Sequence, residues 1–296
     1  MDWDKLKTFH YAAETGSLTH AADKLGVSQS AVSRQIAALE EAIGVPLFQR
    51  HARGLMLTGP GQALKDLTDE MAGVAARAES RLADARDKVS GELTVTAPVA
   101  FGTTWLAPRL GAFADKYPEL RTRLLLEDRE YDLLKLEAEC AVRLWPSTQA
   151  DVIQRKLGEM RTHLYAAHSY LDRHVQPASA EDVDRHRIVS YRNPEAQQLR
   201  TLDWATHVGR EDEEPRTPAL EINNLIAVMR AVAGGFGIGA LPDYMARGRT
   251  DLVRLLPEVE GPKFDVYFVY PRDLKGSQRI VALRDFLVHE ALSWQG

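Results

Sequence analysis

The chain has 296 residues, 45% of them hydrophobic and 27% charged, and a formal net charge of −5. This length favours two domains, and the composition is that of an ordinary soluble globular protein. The single cysteine, Cys140, excludes an internal disulfide and a multi-thiolate zinc site. The N-terminus is charged and no apolar run reaches the ~18 residues of a membrane span, so we expect a cytoplasmic protein without a signal peptide or a membrane partner.

The first sixty residues predict three short helices. Gly16 ends the first helix, Ser17 caps a second helix that ends at Gly26, and Ser28 caps a third. Ala22 is small enough to let two helices cross closely, and Gly26 tolerates the positive φ of a short turn. This spacing predicts a helix-turn-helix unit.

The N-terminal half of the third helix and the loop after Phe48 predict a DNA-binding surface. Glutamine can pair with adenine and arginine with guanine in the major groove, and a serine hydroxyl or helix amide can meet a phosphate. The candidate contact residues, all polar or basic, are Ser28, Gln29, Ser30, Ser33, Arg34, Arg50 and Arg53. Residues 1–57 hold six Lys/Arg and six Asp/Glu, so a three-helix protein-interaction domain is the alternative.

A dense run of these residues resembles the LysR-type transcriptional regulators. The matching segments are Gly16–Thr19, Ala21-Ala22, Leu25–Ile36, Leu39-Glu40, Gly44–Phe48 and Leu57-Thr58 with Gly61. The resemblance implies an N-terminal all-α winged helix-turn-helix, a long linker helix, and an α/β, periplasmic-binding-protein-like effector domain of two lobes. It also implies a sequence-specific regulator, with a double-stranded DNA operator, a small-molecule effector and RNA polymerase as partners.

One long helix is predicted from Thr58 to about Asp87, with Pro60 in its first turn. Its apolar residues step by three and four, and so narrow a stripe needs a partner. One alternative is packing against the C-terminal domain of the same chain. The resemblance implies instead antiparallel pairing with a second subunit, in a homodimer or homotetramer. The residues assigned to dimerisation are Leu64, Leu67, Met71, Val74 and Leu82.

The remaining sequence alternates strands and helices. We predict strands at Leu93–Ala97, Leu120–Leu126 and Cys140–Leu144, and helices at Thr103–Lys116 and Tyr131–Ala138. Such alternation predicts a mostly parallel sheet covered on both sides. Further landmarks of the resembling family are Tyr165–Leu171, Ala233–Pro242 and Tyr267–Pro271.

The resemblance divides the chain into three parts. They are a head at 1–58, a linker at 59–89, and an effector domain at 91–296 whose lobe one is 91–161 plus 265–296 and whose lobe two is 162–264.

Ligands of open α/β sheets gather at the carboxyl ends of strands, near helix N-termini that favour anions. The Thr103 hydroxyl and neighbouring backbone amides therefore suggest a site for an effector carboxylate. The candidate effector-binding residues are Ala100, Phe101, Thr103, Thr104, Arg143, Trp145, Asn223 and Phe236. The alternatives are helix caps for the threonines, core packing for Trp145 and a structural ion pair for Arg143.

No catalytic signature accompanies this fold. Gly235–Ala240 fits a dinucleotide fingerprint in spacing, but a helix precedes it and Leu241-Pro242 follows, which is the wrong context. The nine histidines show no metal-ligand spacing, and Cys140 is interpreted as a small buried hydrophobe. We expect no cofactor, no metal and no enzymatic activity. The alternative function is a cytoplasmic α/β ligand-binding protein or enzyme whose helical head binds another protein.

Overall fold

The computed structural model describes residues 2–51, 54–84, 89–134, 138–194, 196–210 and 214–292. It forms two compact units, one of residues up to 82 and the other of residues from 83 on, apart from 134–137. Among the described residues, no helix has the length and apolar character of a membrane span. The same residues form no cluster of three or more side chains able to hold a metal ion.

The first unit holds three short helices, a hairpin and a long helix. Their bounds are α1 Trp3–Thr15, α2 Leu18–Leu25, α3 Gln29–Ile43, β1 Phe48–His51, β2 Gly54–Leu57 and α4 Gly59–Asp84. The predicted caps are confirmed, since Ser17 Oγ accepts from His20 N at 3.4 Å and Ser28 Oγ from Ala31 N at 3.2 Å. The α2–α3 turn at Gly26 has a φ of 67°, which is the left-handed region that the sequence predicts.

Apolar faces of α1, α2 and α3 make two adjoining core clusters. One contains Phe9 and Leu39, with 0% and 1% of their surface exposed, and the other contains Ala22 and Val32. Phe9 packs on Phe48 of β1 with ring centroids 5.2 Å apart. The hairpin therefore belongs to the head and forms the wing that the sequence predicts.

The second unit contains two five-stranded sheets. The lobe-one strands, in sheet order, are β4 Leu120–Leu126, β3 Gly91–Ala97, β5 Cys140–Arg143, β12 Phe264–Pro271 and β6 Val152–Met160. The lobe-two strands, in sheet order, are β11 Leu252–Leu255, β7 Thr162–Ala167, β10 Ile238–Pro242, β8 Ile188–Tyr191 and β9 Leu220–Ile222. This arrangement confirms the predicted two-lobed α/β architecture.

Four of the five strands in each sheet share one direction, as predicted, but both sheets are mixed. In each sheet two strand pairs are parallel and two are antiparallel, because one strand runs against the other four. That strand is β7 in lobe two and β12 in lobe one. Each is the first strand after the chain crosses from the other lobe, so the crossing sets its direction.

Helices cover the sheets. They are α5 Val99–Phe101, α6 Leu110–Lys116, α7 His168–Leu171, α8 Leu225–Ala233, α9 Asp243–Ala246 and α10 Gln278–Ala291. A π-helical turn at Gly102–Leu106 and a 3₁₀ turn at Ala107–Arg109 join α5 to α6. Helix α8 precedes β10, which confirms that the glycines between them end a helix and lead into a strand.

Two predicted helices differ from the structure. The one expected from Thr103 begins at Val99, because the Asp128 carboxylate accepts the Val99 N–H at 3.0 Å and caps the helix there. The one expected at 131–138 is absent from its described residues, 131–134 and 138. There the carbonyl oxygen of Tyr131 accepts from Arg143 at 3.3 Å and from Gln149 at 3.0 Å, so long-range contacts replace helical hydrogen bonds.

Candidate nucleic-acid interface and ligand cleft

The N-terminal end of α3 presents an exposed polar surface. Gln29, Ser30 and Arg34 are exposed and Ser33 is half-buried. Ser28 both caps the helix and lies 3.0 Å from the Ser30 hydroxyl. The structure thus brings these five predicted DNA contacts onto one end of one helix.

Sequence reasoning missed an apolar residue on the same surface. Val27 directly precedes the capping serine and 45% of its surface is exposed. An apolar side chain at this position can contact a thymine methyl group. Its place in the turn after Gly26 is the sequence signal that could have found it.

The other two predicted contacts belong to the wing. Arg50 lies in β1, paired in register with Leu55 of β2, and Arg53 lies outside the described residues. Three hydrogen bonds fix the wing to the helices. Glu40 Oε1 on α3 accepts from the backbone N–H of Leu47 at 2.7 Å and of Phe48 at 3.1 Å. Leu55 N donates to Gly16 O, after α1, at 3.2 Å.

Glu40→Ala is expected to loosen the wing, because two partly buried backbone N–H groups lose their acceptor. Each orphaned buried donor costs about 1–3 kcal/mol, and we expect a loss near the lower end for the pair, since water reaches an opened wing. Hydrogen exchange of the wing amides, followed by mass spectrometry, measures the change. Glu41→Ala, at the exposed neighbouring position, is the control, and equal exchange in both variants would contradict the role of Glu40.

Helix α4 carries an exposed apolar face. Leu67, Met71 and Val74 have 56%, 37% and 56% of their surface exposed and lie at helical spacing on one side. Leu64 differs from them, since it packs against the head core beside Leu6 and finds its partner within its own chain. Leu82 belongs to the same helix, but its side chain lies outside the described part of the structure.

The first half of α4 is attached to α1. Asp69 lies 3.1 Å from His10 Nδ1 and pairs with Lys65 Nζ at 2.5 Å. Beside these contacts runs a groove of about 280 Å³ between the two helices, bordered by Trp3 and Met71. The apolar face of α4 therefore continues onto α1, where 47% of Trp3 is exposed.

A cleft of about 10 Å³ lies between the two lobes of the second unit. Its lobe-one wall includes Ala100 and Asp128, and its lobe-two wall includes Tyr191, Leu225 and Tyr244. These residues follow the carboxyl ends of strands or open the next helix, as the general rule for α/β sheets requires.

Three of the predicted effector residues lie at or behind this cleft. Ala100 lines it, and the ring of Phe101 meets the ring of Tyr244 edge-on at 5.6 Å. Thr104 donates to Ala100 O at 2.6 Å, and its hydroxyl lies near that of Tyr244; burial raises the pKa of this phenol, and Thr104 opposes the rise only in part. The structure therefore gathers these residues on the cleft side of one helix.

The other predicted effector residues do not line the cleft. Thr103 and Asn223 are exposed, and Phe236 lies under the Arg187 guanidinium at 6.0 Å. The helix starts a full turn before Thr103, so this threonine is not at the helix N-terminus where we expected an anion.

The surroundings of Arg143 and Trp145 indicate structural roles. Arg143 is 1% exposed and donates to the Tyr131 carbonyl, and burial lowers the pKa of its guanidinium against the opposing charge of Glu130. Trp145 is half-buried, and its Nε1 has no hydrogen-bond partner among the described residues. Cys140 is 0% exposed and burial raises the pKa of its thiol, which agrees with its interpretation as a small hydrophobe.

Asp128, Tyr191 and Tyr244 were missed by sequence reasoning. Asp128 comes two residues after β4, Tyr191 ends β8, and Tyr244 comes two residues after β10. All three therefore stand at the carboxyl ends of strands, which is the signal that could have found them. Finding them also required knowing which strand ends face each other.

A larger depression, of about 730 Å³, lies on lobe two alone. Its charged side chains include ion pairs of Arg192 with Glu221 at 3.1 Å and of Arg216 with Asp184 at 2.6 Å. These pairs neutralise part of the charge on its walls, where Arg200 and Asp203 also lie, and it carries no predicted site residue. The inter-lobe cleft is therefore the stronger candidate for an effector.

Known proteins match both units. A family model described as the bacterial regulatory helix-turn-helix protein of the lysR family matches residues 3–62, and a model of the LysR substrate binding domain matches residues 86–292. An HTH-type transcriptional regulator of Xanthomonas campestris pv. campestris (strain 8004) is 31% identical over 97% of this chain and 85% of its own.

Solved structures extend the likeness to the whole chain. The Vibrio cholerae virulence activator AphB is 25% identical with a TM-score of 0.65, and the match covers 98% of this chain and 99% of that one. CrgA, a LysR-type transcriptional regulator from Neisseria meningitidis, is 26% identical with a TM-score of 0.61 over the same shares of the two chains.

Proposed function

The chain belongs to the LysR family of bacterial transcriptional regulators, and we propose that its α3 helix reads an operator while its inter-lobe cleft receives the effector. It is a DNA-binding regulator whose activity a small molecule modulates. The observation that carries the DNA-reading assignment is the exposed polar end of α3, where Gln29, Ser30 and Arg34 stand together above a capped N-terminus.

In this proposal the first turns of α3 enter the major groove. Gln29 and Arg34 contact base edges, Ser28, Ser30 and the helix N-terminal amides contact phosphates, and Val27 meets a thymine methyl. Ser33, half-buried on the same side, packs close to the backbone of the duplex. The wing, with Arg50 and Arg53, contacts the adjacent backbone. Affinity from so few basic residues depends on two heads binding together.

The second head comes from a second subunit. We infer a homodimer through the α4 face of Leu67, Met71 and Val74, and a homotetramer as a pair of such dimers. The support is the exposure of three large apolar residues on one helix face, since a helix of this length seldom leaves such a stripe in water. Two-fold symmetry then matches an operator made of two inverted half-sites.

We retain the division into a head at 1–58, a linker at 59–89 and an effector domain at 91–296. The matched family models, at 3–62 and 86–292, support it. The domain acts by binding and not by turnover, because its relatives are transcriptional regulators. We place the protein in the cytoplasm, where its operator DNA lies, with RNA polymerase as its partner in regulation.

Arg34→Ala is expected to weaken operator binding by about 1–3 kcal/mol, because a bidentate contact to guanine would be lost. Discrimination at one base pair of each half-site should relax with it. Gel shifts on operator variants measure both effects. Arg123→Ala, at an exposed position of β4, is the control with the same change of charge. Unchanged affinity together with an unchanged footprint would remove Arg34 from the reading surface.

The direct test of the proposed function is a footprint of the purified protein on the DNA upstream of its own gene, with competitor DNA and a salt series. A protected region with two half-sites that survives competitor is the expected result. Failure there, and failure to select any site from a genomic library, would exclude sequence-specific binding. The head would then be a protein-interaction module.

A further inference from the structure

The wall of the inter-lobe cleft is apolar except at three residues, Asp128, Tyr191 and Tyr244. Asp128 comes from lobe one and both tyrosines come from lobe two. Among the described residues that line the cleft, Asp128 is the only one with a charged side chain. A ligand held there meets a hydrocarbon surface and one negative group.

The described residues satisfy the Asp128 carboxylate only in part. One oxygen accepts the Val99 N–H at 3.0 Å, which uses one of roughly four lone-pair sites. Burial raises the pKa of this carboxyl, and the hydrogen bond from the Val99 N–H and the nearby Tyr191 hydroxyl oppose the rise without cancelling it. Among the described residues, no basic side chain contributes to this pKa. A half-buried carboxylate in this condition is stabilised by a donor or a cation brought by a ligand.

The two tyrosine hydroxyls lie beside this carboxylate. Tyr191 is 1% exposed, and its hydroxyl forms no hydrogen bond of standard length and angle with any described residue. The Tyr244 hydroxyl is also buried and also forms no hydrogen bond of standard geometry with a described residue, although Thr104 lies nearby. Asp128, Tyr191 and Tyr244 all line the same small cleft, and burial followed by the negative charge of Asp128 raises the pKa of Tyr191.

We propose that the cleft binds a small, largely apolar molecule whose polar end is an ammonium group. The ammonium donates to Asp128 in a charge-assisted hydrogen bond, and the hydroxyl oxygens of Tyr191 and Tyr244 accept its remaining N–H groups. This inference rests on the proposed function and names the class of effector. It replaces the carboxylate that the sequence suggested, because a ligand carboxylate would lie against the negative charge of Asp128.

The small size of the cleft links ligand binding to the separation of the two lobes. About 10 Å³ is close to the space that one water molecule needs, so an amine with a hydrocarbon body enters only if the lobes separate. Such a ligand has higher affinity for the separated arrangement and shifts the protein toward it. Recognition of the amine and the change of lobe angle are then one event.

The test is isothermal titration of the full-length protein with probes that share a skeleton and differ in the polar group. Benzylamine, cyclohexylamine and hexylamine are compared with the corresponding alcohols and with benzoate, cyclohexanecarboxylate and hexanoate. We expect at least one amine to bind about tenfold or more tightly than its matched alcohol and carboxylate, as a hydrogen bond to a charged group predicts. Asp128→Asn should remove this preference, and Tyr191→Phe should reduce it severalfold.

Asp115→Asn, at an exposed carboxylate of α6 in the same lobe, is the control and should leave the preference unchanged. Tighter binding of a carboxylate, binding of no amine, or amine binding that Asp128→Asn leaves intact would overturn the assignment. The ranking of probes by the wild-type protein does not depend on how any variant folds. If operator binding persists while the amine preference fails, the regulator function stands and only the effector class is wrong; loss of specific operator binding in the wild type rejects the function itself.

Discussion

Val74→Asp is expected to leave the chain folded, to abolish dimerisation, and to lower operator affinity by roughly a hundredfold or more. The side chain is 56% exposed in the single chain, so an aspartate there meets water and costs the monomer little. In a paired α4 the same carboxylate enters an apolar interface, beside Met71 and next to its symmetry-related copy. A buried charge without a partner opposes association strongly.

The loss of affinity for the operator follows because the two heads are no longer held together in one dimer. When two heads are held together, the second half-site binds at a high effective concentration, and this advantage is commonly 10²–10⁴-fold. Light scattering after gel filtration measures the mass, and gel shifts measure the affinity. Gln62→Glu adds the same charge at an exposed position on another side of α4 and should keep the dimer. A Val74→Asp protein that remains dimeric would show that subunits associate elsewhere.

Gly61→Ala is expected to destabilise the head by about 3 kcal/mol. Alanine is ordinarily preferred to glycine inside a helix by roughly 0.5–1 kcal/mol. The expected change in stability is therefore opposite to the one that this intrinsic preference predicts. The cause is a close approach of two backbones. A Cβ atom on Gly61 would lie 2.0 Å from the Leu47 carbonyl oxygen, and backbone atoms cannot swing away as a side chain does.

This contact attaches the start of α4 to the wing. The Thr58 hydroxyl donates to Pro46 O at 2.7 Å and accepts from Gly61 N at 3.0 Å, which holds the two segments together. Gly59→Ala, in the same helical turn with no atom within 4 Å of the added Cβ, should be neutral or slightly stabilising. Hydrogen exchange of peptides from residues 3–62 compares the two variants. Equal protection in both would mean that the wing and α4 separate without cost.

The head was predictable because its signals are local. Ser17 and Ser28 each accept from an amide three residues ahead, and Gly26 turns the chain within one residue. A hydrogen bond over three residues depends on little beyond those residues, so the sequence determines it. The exposed stripe of α4 was predictable for the same reason, because helical periodicity sets which residues share a face.

The position of the inter-lobe cleft was predictable, but most of the residues that line it were not. The rule that ligands collect at the carboxyl ends of strands located it near residues 98–104. It could not say that Asp128, 29 residues after Val99, returns to cap that helix and claims the position expected for a ligand carboxylate. Nor could it say that Tyr191 and Tyr244 of the other lobe face the same point.

The sequence by itself determined the helix-turn-helix, the apolar face of the linker helix, the alternation of strands and helices, and the family to which the chain belongs. Only the tertiary structure decided the reversed directions of β7 and β12, the position of the helix start at Val99, and the need for glycine at position 61. Each feature that the sequence determined depends on contacts within a turn of helix or a pair of neighbouring residues. Each feature that the tertiary structure decided depends on which distant segments come together, and this is set by the packing of the whole unit.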